Sequence, residues 1–317
     1  MTSTALTTSS TDALATLQEG AYLEQLLHRF AASQDVAPSS RATYLRTVRL
    51  FFRWVKEQGL PLSTLTRAEV LRFREDLLSS GMSSLSVSAY LTSVRRFFAW
   101  AEGEKVYPNI ARDVKGPKRK QQFRKQALTA AKAKEVLSYQ DGQGLRDHAI
   151  LNLLLRTGLR TIEVVRANVE DITHKAGTRV LLVHGKGRSE KDAFVILTDK
   201  AYQPIAEYLE SRGRVKAGEP LFTSFSNNSK GARLTTRTVS RIAKEALRTV
   251  GLDSREFTAH SLRHTTAVTI MREGGSIEEA QHVLRHSSPA TTQIYTATIR
   301  EELRLRNSTE SLLDRAW

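Results

Sequence analysis

Residues 259–296 read "AHSLRHTTAVTIMREGGSIEEAQHVLRHSSPATTQIYT". Local signals divide this stretch into three helices. The first spans about 259–272 and stops at Gly274–Gly275. Ser276 and Glu279 have the spacing of a capping box, so a second helix starts there and runs over 277–285. Ser288 is a fitting N-cap and Pro289 a fitting first residue for a third, over 290–296. Tyr295 then lies in its second turn. His260 and Arg263 are three residues apart on the first helix and share a face. A lone tyrosine is most often a core residue. A tyrosine that attacks something needs cations and a proton acceptor around it, and the rest of the chain must supply them.

Upstream, "LRDHAILNLLLR" over 145–156 is an apolar helix, with Gly158 as its C-terminal stop. Two β-rich runs, 179–184 and 193–197, flank the polar loop "GKGRSEKD" and read as a β-hairpin. Further helices are expected at 236–249 and 299–305. A second domain therefore starts near Leu128 and is mostly helical with one small sheet.

The first part of the chain reads as four helices, at 17–33, 40–57, 66–80 and 84–103, a small all-α domain. In the second of these, Leu45, Val48, Phe52 and Val55 form an apolar stripe. Arg46, Arg49, Arg53 and Lys56 repeat the spacing one residue on, about 100° around the helix. Such a stripe is either a solvated face or a phosphate-binding one. On this helix no acidic residue stands four away until Glu57. Arg95 and Arg96 add charge on the fourth helix. Between Lys115 and Lys125 come six basic residues and no acidic one, with Gly116 and Pro117 among them: a linker by composition, able to follow a nucleic-acid backbone.

The 317 residues carry 48 Lys+Arg against 33 Asp+Glu, a net charge of +15 that favours a polyanion partner. The excess is concentrated: residues 1–37 have one basic and four acidic side chains, residues 38–126 have 18 and seven. There is no cysteine, which excludes disulfides and thiolate metal sites. No apolar run is long enough to span a membrane. The Ser/Thr-rich start is not a secretory signal and reads as a disordered tail, residues 1–16.

Singly, each candidate side chain has an ordinary structural explanation. Together, "TGLRTIEVV", "GKG" in a hairpin, "HSLRH" and "RHSSPATTQIYT" resemble, in order and spacing, the tyrosine recombinases, with "RDHAILNLLLRTGLR" and "TTQIYT" most similar to the Xer-like branch. The resemblance covers roughly residues 20–300. It implies a mainly α fold with a small β-sheet: a helical SAM-like core-DNA-binding domain (17–110), a basic linker (111–127) and a mixed, mostly helical catalytic domain (128–306). By position it implies Arg160, Lys186, His260, Arg263 and His286 as catalytic residues around the nucleophile Tyr295, with Glu163 supporting Arg160. Arg46, Arg49, Arg53, Lys56, Arg95, Arg96, Lys118, Arg119 and Lys120 are the candidate DNA contacts.

The implied partner is double-stranded DNA with specific recombination sites, bound by a homo-tetramer, with an accessory protein or second recombinase as a further candidate. The implied chemistry needs no metal and no cofactor, and implies a cytoplasmic, nucleoid-associated protein. The start of the chain is too short for an added arm-binding domain. The tail 307–317, with Leu312, Leu313 and Trp317, is expected to be a helix that docks on a neighbouring protomer. The hairpin departs from the family pattern, lacking its proline and carrying Asp192, so Lys186, Arg188 and Lys191 all stand as candidate general acids, Lys186 first. Arg285 replaces a common Gly, which puts a cation either near the site or on the surface. A DNA-binding relative without activity and a type IB topoisomerase-like relaxer are the competing functions.

Overall fold

Hydroxyl caps and glycine stops set most of the helix boundaries. The structure, a computed structural model, describes residues 20–118, 126–138, 144–184, 190–285 and 299. The chain divides into two units, residues 1–121 and 122–317.

The first unit holds α1 (20–33), α2 (Pro38–Glu57), α3 (Arg67–Ser79) and α4 (Ser84–Gly103). Pro38 opens α2, where its missing N–H costs nothing. Thr66 caps α3: its hydroxyl accepts from the Ala68 N–H, while its own backbone N–H donates to Glu69 at 2.6 Å. Aromatic rings fill the core. Phe51 meets Phe73 and Phe98 edge-on, with centroids 5.1 and 5.8 Å apart. Burying each such ring contributes about 2–3 kcal/mol. The Trp54 indole N–H donates to Asp76 at 2.9 Å and ties α2 to α3. After α4 the chain folds back. Ala111 and Val114 are fully buried, and Arg67 and Arg74 donate to the carbonyls of Arg112 and Lys115 at 2.6 and 3.0 Å.

The second unit runs α5 (Ala130–Ser138), α6 (Gly144–Thr157), α7 (Thr161–Arg166), β1 (Ile172–Lys175), β2 (Thr178–Val183), β3 (Ala193–Ile196), α8 (Asp199–Ser211), α9 (Thr236–Thr249), α10 (Ala259–Arg272) and α11 (Ile277–Leu284). Helix α6 is its centre, with Ala149, Ile150, Leu151 and Leu153 fully buried and the Arg146–Asp147 ion pair buried in its first turn. The Thr266 hydroxyl on α10 donates to the Leu155 carbonyl at 2.8 Å and clamps α10 to α6.

The expected hairpin is present as β2 and β3, and β1, unread in the sequence, extends it to a three-stranded antiparallel sheet, order β1-β2-β3. Strand β1 joins β2 through Ala176 and Gly177, both with positive φ (46° and 77°). That tight-turn geometry usually carries Asn-Gly or Asp-Gly, so Ala-Gly gave no signal. Helices α5, α7 and α8 also went unread. The first two are nine and six residues long, too short for a clear period.

Candidate active site

Gly158 ends α6 with φ 60°, and two residues later Arg160 caps α7. Glu163, one turn into α7 and 5% exposed, accepts from the Arg160 backbone N–H at 2.6 Å and from Arg160 Nη1 at 2.8 Å. Arg160 thus has one guanidinium nitrogen fixed while its side chain stays 28% exposed. Burial alone would raise the Glu163 carboxyl. The guanidiniums of Arg285 and Arg160 outweigh it and hold the carboxyl below the ordinary carboxylate value.

Helix α10 presents His260 and Arg263. The Thr258 backbone N–H donates to the Ser261 hydroxyl at 3.1 Å, which fixes the first turn. Arg263 is only 2% exposed; its Nη1 donates to the Gly158 carbonyl and its Nη2 to the Leu284 carbonyl. One guanidinium thereby ties the end of α6 to the end of α11. His260 is exposed. His264, a turn further on, is buried, and burial with the neighbouring His260 brings its imidazole down to about 4.

Arg160, His260 and Arg263 line one open cleft of about 780 Å³. Of the six expected catalytic residues these are the three the structure describes, and it brings them together. Lys186, His286 and Tyr295 lie outside the described residues, as do Arg188, Arg119, Lys120 and the tail 307–317. Lys191 is described and engaged: its Nζ lies 2.5 Å from buried Asp171. The same cleft takes in Arg237, Arg241 and Lys244 of α9, which the sequence reading missed. Their signal was available, since residues 237, 241, 244 and 248 are basic at 4-3-4 spacing.

The candidate DNA contacts divide. Arg53, Lys56 and Lys118 are exposed. Arg46 lies over the Tyr90 ring and Arg96 over the Tyr44 ring, at 5.9 and 5.1 Å, with both arginines exposed. Arg49 is instead paired with Glu24 of α1 at 2.7 Å. Arg95 is folded inward, donating to the Leu91 and Val114 carbonyls at 3.3 and 3.4 Å.

Fold and site together define an integrase-type catalytic unit of helices and one small sheet, preceded by a SAM-like helical unit. The chain belongs to the phage integrase family: residues 126–302 match the model of that family, and residues 23–105 match the phage integrase N-terminal SAM-like domain. It is a tyrosine site-specific recombinase of Xer-like type. Tyrosine recombinase XerC of Pelobacter propionicus is 32% identical over 83% of this chain and 86% of its own length. Tyrosine recombinase XerD of Vibrio cholerae is 28% identical over 89% of this chain and 93% of its own. Among solved structures, the XerH recombinase bound to a palindromic difH substrate shares the fold with a TM-score of 0.69 at 21% identity, covering 86% of this chain and 80% of that one. A lambda integrase dimer bound to a COC′ core site does so at 0.66 and 20%, covering 85% and 96%.

Proposed function

We propose that this protein cuts and rejoins double-stranded DNA at specific sites through a transient 3′-phosphotyrosine at Tyr295, exchanging strands between two sites through a Holliday junction as a homo-tetramer. The observation that carries the reading is the shared cleft of Arg160, His260 and Arg263, drawn from stretches about a hundred residues apart. Two guanidiniums suit the non-bridging oxygens of a phosphodiester, where negative charge grows during attack. A tyrosine hydroxyl has an ordinary pKa of about 10 and needs help to lose its proton. His260 stands at the cleft to take it, and nearby cations favour the phenolate. His286 adds a donor to the phosphate.

Lys186 protonates the departing 5′-oxygen. Lys191, already on Asp171, is the poorer candidate. The phosphotyrosyl ester keeps the energy of the broken bond, so rejoining by the reverse attack draws on no other energy source. In this reading residues 17–110 grip the core site with 111–127 as the basic connection, 128–306 carry the chemistry, and 307–317 dock on a neighbouring protomer.

The test begins with duplexes selected by the purified protein from a random-sequence pool, rebuilt with a nick beside the cleavage position. Wild type traps a covalent protein–DNA adduct, without added ATP and in the presence of a chelator. Tyr295→Phe traps none. Equal trapping by both proteins overturns the proposal. Plasmid relaxation with no requirement for two sites would instead identify a type IB-like relaxer, and binding without any adduct an inactive relative.

A further inference from the structure

Arg285 is the C-cap of α11 and directly precedes His286 in the chain. Its backbone is left-handed, φ 53° and ψ 48°. Glycine adopts that conformation readily, and a residue with a β-carbon resists it. An arginine at such a turn with no further role would extend its head to water. This one does not: its side chain is 14% exposed, Nη2 lies 3.0 Å from Glu163, and Nη1 donates to the Val283 carbonyl at 2.8 Å.

Glu163 is thereby engaged on both oxygens. Oε1 takes Arg160 Nη1; Oε2 takes the Arg160 backbone N–H and Arg285 Nη2. Two effects follow. Arg160 with Glu163 alone is a neutral pair, poorly suited to a phosphate, whereas the three side chains together carry a net positive charge. In addition, Arg285 joins the Arg160 backbone N–H on Oε2 and competes there with a second guanidinium branch of Arg160. Arg160 keeps its remaining donors for a ligand in the cleft.

We infer that Arg285 is a positioning residue for the strand-transfer chemistry, acting through Glu163 to limit its grip on the Arg160 guanidinium to one branch and to make the three-residue cluster net positive. The inference rests on the DNA-cleaving function proposed above. The charged groups facing Glu163 are Arg160 at the start of its own helix and Arg285 at the end of α11, and both oppose the upward pull of burial on its carboxyl. Without Arg285 that carboxyl moves upward, so cleavage becomes sensitive to acid at a higher pH.

The experiment measures adduct formation on the selected nicked duplex as a function of pH, with the full chain. Arg285→Gly, which also relieves the left-handed turn, is expected to slow cleavage about ten-fold or more and to move the acid limb of the profile upward, while Arg285→Lys keeps the limb in place. Placed on a Glu163→Gln background, Arg285→Gly should cost less than about two-fold, because its route is already gone. If thermal melting shows Arg285→Gly unfolded, Arg285→Gln, shorter and uncharged, decides by the same readouts.

Wild-type trapping alongside a variant that cleaves normally, or that loses equal activity in both backgrounds with an unmoved acid limb, overturns this inference alone. No adduct from wild type overturns the cleavage function and this inference with it.

Discussion

His264 stands one turn beyond His260 on α10, 3% exposed, with its imidazole held down to about 4 by burial and by His260. In the unfolded chain the ring takes up a proton near its ordinary 6.5. Between those values the unfolded state binds the extra proton, so stability present above pH 6.5 is lost as pH falls toward 4, by roughly 3 kcal/mol over the whole window. Glu163 acts lower. Its carboxyl is depressed below 4.5, so its contribution is present above that value and is lost as pH falls through the folded one. Thermal melts from pH 7 to 4.5 should therefore show a steep loss in wild type and a flatter one in His264→Asn. Equal slopes would mean that His264 already binds its proton in the folded protein.

Residues were legible where their partners are close in sequence. Ser276 and Glu279 make the expected capping box, with the Ser276 N–H donating to Glu279 at 2.6 Å. Arg49 and Arg285 were not legible. The carboxylate that neutralises Arg49 comes from another helix, and the one that holds Arg285 lies 122 residues away.

Among elements, the junction between α6 and α7 is the tightest place in the site. A β-carbon on Gly158 would meet the Leu284 side chain, in a backbone with φ 60°, and the Gly158 carbonyl also receives Arg263. Gly158→Ala should lower unfolding stability by about 2–4 kcal/mol in urea titration, from strain and overpacking together. Gly251→Ala is the control: φ is 81° but a β-carbon there meets nothing within 4 Å, so about 1 kcal/mol is expected. Similar losses at both positions would show that the packing against α11 matters little.

The long helices were readable from the sequence because caps, glycine stops and apolar period agree; α4 spans Ser84–Gly103 as expected. Strand β1 and helix α7 were not. Four and six residues carry too little pattern, and tertiary pairing alone defines them.

At the scale of the molecule, the charge is +15, and the number of phosphates it neutralises sets how DNA binding responds to salt. Each phosphate neutralised contributes about 0.9 to the slope of log K against log salt for a duplex. Arg46→Ala, Arg53→Ala and Arg96→Ala should each reduce that slope by about one, measured by fluorescence anisotropy at several salt concentrations. Arg49→Ala should change it less, since Glu24 already balances that charge. A larger effect from Arg49 than from the other three would mean that the DNA phosphate displaces Glu24 from it.

The order of the motifs along the chain made the two-part architecture legible. The convergence of Arg160 and Arg263 was legible only through the family resemblance, because spacing along a chain does not fix distance across a fold.

The first unit also holds Trp54, its indole donating to Asp76, and Trp100, its ring beside Phe97. The third tryptophan, Trp317, is the last residue of the chain. A Trp317→Phe protein would confine its indole emission to the helical N-terminal unit, while far-ultraviolet ellipticity would follow both units. The order in which the two melt, or take hold of a duplex, could then be watched by intrinsic light alone, with no attached dye.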